Sequence, residues 1–331
     1  MRALDDGPPV IETVSRGFGA LHRGLSYSAP FIGREAELAE VTALLADPAV
    51  RLVTVTGRSG VGKTRLALEA ARGLASARPR TVWLVSLASV HDPELMVPEI
   101  ATQLQLPTGP GVAVNDAVVR WLRRSAGMLL LDNFEHLLPV AGVLSDVLAA
   151  CPQLKLLVTS QAPLRLTAER VIVLDPLTLP EPTVTEPSAV VAQPAVALYC
   201  DRAKAVNSQF RLGKDNVAAV VTLCRELEGL PLGIELAAAR APTLPAGELL
   251  TRLARQRLDV LRSPRADAPL RHQDMRAAIG WTYNLLSDFE RRLLRLLSLA
   301  GGPSISTTQK RSVALSPPRY SMHCPRSSTS T

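Results

Sequence analysis

Cysteine is scarce in this 331-residue chain: Cys151, Cys200, Cys224 and Cys324 stand far apart, with no Cys-x-x-Cys pair. That spacing argues against both a zinc site and a disulfide framework, and buried, unreactive thiols are the expectation. The first residues, Met1-Arg-Ala-Leu-Asp-Asp-Gly-Pro-Pro9, lack the apolar stretch of a secretion signal, and no run approaches the length of a membrane span. A cytoplasmic protein with no membrane partner is expected. Acid is missing from residues 303–331, which hold Lys310, Arg311, Arg319 and Arg326. Of the formal net charge of +7, this segment carries +4 and leaves 33 basic against 30 acidic residues elsewhere. A near-balanced body with a basic tail is not a basic groove, so charge alone does not imply a nucleic-acid partner. The other enriched stretch, from Arg252 and Arg255 through Arg276, is diluted by Asp259 and Asp267 and reads as a solvated helix face.

What is present begins at Arg51. The run Arg51-Leu-Val-Thr-Val-Thr56 feeds Gly57-Arg58-Ser59-Gly60-Val61-Gly62-Lys63-Thr64, which fits the phosphate-loop (Walker A) pattern G-x-x-x-x-G-K-[ST]. Small residues there let consecutive backbone N–H groups curl around phosphates, while the following helix directs its positive end at the same charge. Lys63 would reach the β- and γ-phosphates and the Thr64 hydroxyl would ligate Mg²⁺. Arg65-Leu-Ala-Leu-Glu-Ala-Ala-Arg72 continues as helix. The implied ligand is a nucleoside triphosphate, ATP or its product ADP.

Strand and helix patterns then alternate. Glu35 to Leu45 places Leu38, Val41, Leu44 and Leu45 on one helical face, and Thr81 to Leu87 reads as a second buried strand. Helical stretches follow at Pro93 to Leu106 and Val114 to Arg124. Gly127-Met-Leu-Leu-Leu-Asp132-Asn133 is an apolar strand ending in an acid, placed where an aspartate can hold Mg²⁺ through water. A helix from Glu135 to Ala150 and strands at Leu154 to Thr159 and Val171 to Leu174 complete the pattern. These alternations predict an α/β fold, a parallel sheet with helices on both faces. Beyond Pro176 only helices are expected, near Val190 to Val206, Asp215 to Glu228, Leu232 to Ala241, Ala246 to Leu261, Asp274 to Leu286 and Ser287 to Leu299. Ser287-Asp-Phe-Glu290 has the form of a capping box. The expected organisation is a flexible leader (1–29), a P-loop NTPase domain (30–176), a linker (177–187), an all-α domain (188–262), a further pair of helices (263–302) and a disordered tail (303–331). Twelve of the last 29 residues are Ser or Thr.

Several of these stretches together resemble the STAND signalling NTPases, specifically the NB-ARC-like ATPase module of bacterial LuxR-type and AfsR-type transcriptional regulators. The resemblance runs from about Phe31 to Gly302. Phe31-Ile-Gly-Arg-Glu35 resembles that family's opening motif, which implies that Ile32 and Gly33 flank the adenine. Gly57 to Thr64 and Leu130-Leu-Asp-Asn-Phe-Glu-His136 resemble its phosphate loop and Mg²⁺ strand. Leu157-Val-Thr-Ser160 is similar to its sensor strand, and Glu228 to Arg240 to the segment whose proline, here Pro231, closes over the nucleotide. Met275 to Ser287 looks like the start of a winged-helix domain, so residues 263–302 would be a partial winged-helix-like segment. The family usually has arginine after the Thr-Ser of the sensor strand. This chain has Gln161 there, which offers the γ-phosphate only a neutral hydrogen bond.

The resemblance implies an ATP/ADP-binding switch with slow or no hydrolysis, contacting nucleotide through Gly57 to Arg65, and acting through self-assembly or a signalling partner. DNA would be met only through domains outside this chain. Asn133 follows Asp132 where active ATPases commonly carry a carboxylate, and an amide cannot act as a base. Glu135 could substitute by swinging inward from its helix start, where an acid otherwise complements the dipole. Asp132, Asn133 and Glu135 are therefore the catalytic candidates if the chain hydrolyses ATP. The alternatives are an active hydrolase or remodeller, with Arg165 as a candidate for completing a neighbour's site, and a nucleotide-binding remnant without effector function.

Overall fold

The computed structural model describes residues 29–77, 81–106, 113–124, 127–181, 186–256, 261, 274–286 and 288–300. The expectations for the leader, the tail, Ser287 as a cap and Cys324 lie outside these residues. The chain divides after Leu285 into two units.

In the first unit, α1 (Glu35–Ala46) precedes β1 (Leu52–Thr56), α2 (Lys63–Ala77), β2 (Thr81–Ser86), α3 (Met96–Gln103), α4 (Val114–Arg123), β3 (Gly127–Asp132), α5 (Gly142–Ala150), β4 (Lys155–Ser160) and β5 (Glu169–Val173). The five strands form one parallel sheet in the order β2-β3-β4-β1-β5. Apolar residues run continuously along β3, and the pleat sorts them between two cores. Leu129 and Leu131 pack with Met96, Ile100 and Leu122 on one face, whereas Met128 and Leu130 pack with Val41, Leu66 and Ala70 on the other. Each face thus loses its apolar surface to a helix layer, as the alternation of strands and helices predicts.

Helices alone follow: α6 (Pro187–Val190), α7 (Pro194–Val206), α8 (Val217–Glu226), α9 (Pro231–Ala238), α10 (Ala246–Gln256) and α11 (Met275–Leu285). Their core is separate from the two on the faces of the sheet and is centred on Tyr199, Val220, Cys224, Ile234 and Leu249. Leu177, in the expected linker, is buried in this core, and its N–H donates to the Gly229 carbonyl at 2.9 Å. The segment expected to begin a winged helix is divided: α11 belongs to the first unit, and α12 (Asp288–Ala300) to the second. Considered alone, α12 is amphipathic, with Phe289, Leu293, Leu294 and Leu296 exposed.

Three sequence expectations need correction. The helix expected from Glu135 begins only at Gly142, after a 3₁₀ turn at Leu138–Val140. Asn133 is left-handed (φ 67°), which turns the chain out of β3, and Pro139 interrupts the helical hydrogen bonding that would follow. The helix expected from Val190 is broken by Pro194, which starts α7. The last strand starts at Glu169, two residues before the apolar stretch expected to define it. It lies at the sheet edge, where exposed Val171 and Val173 are tolerated, and its position is set by pairing with β1.

Candidate functional site

The phosphate loop leaves β1 with three glycines in conformations closed to other residues: Gly57 (φ 147°), Gly60 (φ 77°) and Gly62 (φ 100°). They serve different ends. A Cβ on Gly57 would meet the Leu174 carbonyl oxygen at 2.5 Å, and one on Gly60 would meet Leu232 Cβ at 3.0 Å, whereas the space beside Gly62 is open for 4 Å. Gly57 and Gly60 let protein close on the loop from two sides, and Gly62 keeps the cradle clear. Lys63, the first residue of α2, is buried, and its Nζ donates to the Gly57 and Arg58 carbonyls at 2.8 and 2.9 Å.

Beneath the loop lies a buried relay that joins three elements. Thr64 Oγ1 at the start of α2 and Thr159 Oγ1 on β4 both donate to Asp132 Oδ1 at 2.6 Å. Thr159 Oγ1 also accepts the Asn133 N–H at 3.0 Å. The sheet order explains Thr159: β4 lies between β1 and β3, so a hydroxyl from β4 connects the Asp132 carboxylate to its surroundings. Asp132 is fully buried, and Asn133 Oδ1 is a buried acceptor without a hydrogen-bond partner.

Above the loop, the helical core forms a roof. The Leu232 N–H in the first turn of α9 donates to the Gly60 carbonyl at 3.2 Å. The resulting cleft is lined by Ser59 to Arg65 below, by Phe31 and Ile32 at one end, and by Leu198, Arg202, Pro231 and Glu235 from α7 and α9. Asn133, Glu135 and Gln161 also reach it. Arg65 donates to the Ala29 carbonyl at 2.8 Å and pairs with Glu69, with its guanidinium carbon 5.9 Å from the Phe31 ring centroid.

Four of the residues singled out from sequence do not line this cleft. Asp132 lies below it, in contact with Thr64. Gly57 forms the base of the loop. Gly33 (φ 68°) lets the opening segment pass Pro194, whose Cβ a side chain there would approach to 2.4 Å. Arg58 contributes its carbonyl to Lys63, while its side chain points away and pairs with Glu228 at 2.8 Å. Gln161 Nε2 contacts Thr282 Oγ1 of α11 at 3.5 Å. Glu135 Oε1 lies 3.5 Å from Asn133 Nδ2, and burial pushes the adjacent His136 imidazole below its ordinary 6.5, an effect the Glu135 carboxylate opposes. The described cysteines are buried and free, with burial raising the Cys200 thiol to about 11 and Cys224 to about 12.

Sequence reasoning missed Arg34 and Thr159. Arg34 is buried and donates to the Val61 and Asp175 carbonyls at 3.4 and 2.5 Å, binding the loop to the exit of β5. Both residues stand inside motifs that were recognised.

A protein-family model described as an AAA domain matches residues 49–167. An uncharacterized protein of Mycobacterium tuberculosis strain H37Rv is 36% identical over 281 residues, covering 84% of this chain and 68% of that protein. The chain is a P-loop NTPase of AAA type, of one family with this mycobacterial protein. A second protein of the same strain, named "Putative HTH-type transcriptional regulator", is 35% identical over 249 residues, 75% of this NTPase but 26% of the regulator. Among solved structures, Cdc6p from Pyrobaculum aerophilum is similar at 16% identity and a TM-score of 0.49, over 68% of this chain and 65% of that one. Among the described residues no helix is long and apolar enough to cross a membrane.

Proposed function

We propose that this NTPase is a nucleotide-dependent switch of the STAND type, which holds ADP or ATP between its sheet and helical cores and changes their contact according to which is bound. The contact from the Leu232 N–H to the Gly60 carbonyl carries this reading: the roof of the cleft hydrogen-bonds to the loop that would hold the phosphates. The residues present suit a Mg²⁺-nucleotide. The cradle is clear beside Gly62, a cation stands at its base, and the hydroxyl and carboxylate of Thr64 and Asp132 are already together.

In this reading the loop N–H groups and the start of α2 bind the phosphates. Lys63 exchanges its two carbonyl partners for phosphate oxygens. Thr64 and Asp132 would hold Mg²⁺, with Thr159 fixing the carboxylate. Mg²⁺ when bound would supply positive charge to the phosphates. Ile32 and Pro231 enclose the base, and Gln161 faces the γ-phosphate position. Asn133 offers an acceptor to water but cannot take its proton, which supports slow turnover. The likeness to a far longer protein named as an HTH-type regulator supports a role in transcriptional control, with DNA met through a separate domain.

A second reading, an active hydrolase, is favoured by Glu135, which lines the same cleft within reach of Asn133. One experiment separates the two. The purified chain is denatured to identify retained nucleotide, and ATP turnover is compared in the native chain, Glu135→Gln and Lys63→Ala. A switch retains ADP, binds nucleotide only with Lys63 present, and has a slow turnover that Glu135→Gln leaves unchanged. A loss of about a hundred-fold or more in Glu135→Gln, the range of general-base catalysis, identifies a hydrolase.

A further inference from the structure

The cleft continues beyond the parts assigned to phosphate and base. On α9, Pro231 and Glu235 are four residues apart and share one face, as Leu198 and Arg202 do on α7. On each helix the apolar residue comes first and the charged one a turn later. The first turn of α9 is fixed at the phosphate loop by the Leu232–Gly60 hydrogen bond. Glu235 therefore lies about 6 Å further along the helix axis than Pro231, at 1.5 Å per residue. With Pro231 against the base, a displacement of that size brings Glu235 to the sugar of a nucleotide in the same cleft.

The chemistry at that position is specific. Arg202 Nε donates to Glu235 Oε1 at 2.9 Å, while its NH1 group is taken by Asp201. The arginine side chain is largely buried at 13% exposure, and Glu235 remains 43% exposed. One carboxylate oxygen is thus oriented by a fixed guanidinium, and the carboxylate keeps further acceptor capacity on the cleft side. A carboxylate in this setting suits a pair of neighbouring hydroxyls, the one paired donor set on an adenosine nucleotide besides the N6 amino group of the base. It repels phosphate, and it finds few matching donors on a base held among Phe31, Ile32 and Leu198.

We propose that Glu235, positioned by Arg202, accepts hydrogen bonds from the ribose hydroxyls and makes this cleft selective for ribonucleotides. The inference rests on the nucleotide-binding reading above. It adds a specificity contact contributed by the helical core, so the sugar as well as the phosphates would link the two cores.

The test compares ATP with 2′,3′-dideoxy-ATP by calorimetric titration of the full chain. The native chain is expected to bind the dideoxy compound about ten-fold more weakly, as for loss of a hydrogen bond to a charged group. Glu235→Gln keeps the size and a polar contact for Arg202 but removes the charge. It is expected to weaken ATP to near the dideoxy level and leave the dideoxy compound unchanged, and Glu235→Ala should behave alike. Unfolding of the nucleotide-free variants checks that the fold is retained. Equal affinity of the native chain for the two compounds overturns the inference while leaving the nucleotide site standing. Equal weakening of both compounds by Glu235→Gln also overturns it, because the pair would then act on the phosphates or on helix packing. Binding of neither compound overturns the function reading itself.

Discussion

At the scale of single residues, the site is organised by groups that hold one another before any ligand does. Lys63 is satisfied by two carbonyls of its own loop, and Asp132 by two hydroxyls, so the charged groups wait in hydrogen-bonded positions and not in water. Gln161 is the departure from this economy of charge. It reaches the cleft and its amide contacts Thr282; in the proposed switch it offers a neutral donor where a guanidinium would discriminate the additional charge of ATP. The native chain should therefore discriminate poorly between ATP and ADP. Gln161→Arg is expected to shift the ratio of ATP to ADP affinity by about ten-fold or more toward ATP, corresponding to roughly 1.5–3 kcal/mol for a charge-assisted hydrogen bond. Dissociation constants for both nucleotides in both proteins decide this, and an unchanged ratio would place position 161 outside the phosphate shell.

At the scale of elements, the phosphate loop is held by its neighbours as much as by its own sequence. The exit of β5 blocks Gly57 from carrying a side chain, the start of α9 presses on Gly60, and the segment before α1 delivers Arg34 to the Val61 and Asp175 carbonyls. Arg34 thus ties the opening segment, the loop and the end of the sheet into one body. Arg34→Ala is expected to lower stability by roughly 1–3 kcal/mol, the usual cost of stranding buried hydrogen-bond partners, and to weaken nucleotide binding although its side chain is committed to backbone carbonyls and to Glu37. Denaturant unfolding with and without ADP measures both effects. Loss of affinity with undiminished stability would instead make Arg34 a direct ligand contact.

At the scale of the whole molecule, the cleft borrows its walls from cores that do not share a hydrophobic interior. A ligand seated there stabilises the sheet and the helical bundle together. Calorimetric unfolding should show ADP moving both to higher temperature in a single transition, by about 2.7 kcal/mol at a concentration a hundred times the dissociation constant. Lys63→Ala should remove the shift. Two transitions of which only one responds to ADP would mean that the helical core takes no part in binding.

Local pattern was enough for much of this. Consecutive apolar residues from Met128 to Leu131, a short run bounded by Gly127 and Asp132-Asn133, read as a strand buried on both faces, and the spacing of Gly57, Gly62, Lys63 and Thr64 matches a phosphate cradle, because both depend on near neighbours in the chain. The helix from Glu135 was misjudged for the same reason: its residues suit a helix, but the left-handed turn at Asn133, where the N–H is taken by Thr159 on another strand, and the proline at 139 delay it to Gly142. The roles of Arg34, Thr159 and the Arg202–Glu235 pair were decided by tertiary structure alone. Each acts across more than twenty residues of sequence, through a carbonyl, a carboxylate or a cleft that exists only once the strands are ordered and the helical core is docked. Sequence determined which groups were available to hold a nucleotide, since that is a matter of residue type and short spacing. Folding decided which of them meet, since that depends on β4 entering between β1 and β3 and on α9 closing over Gly60.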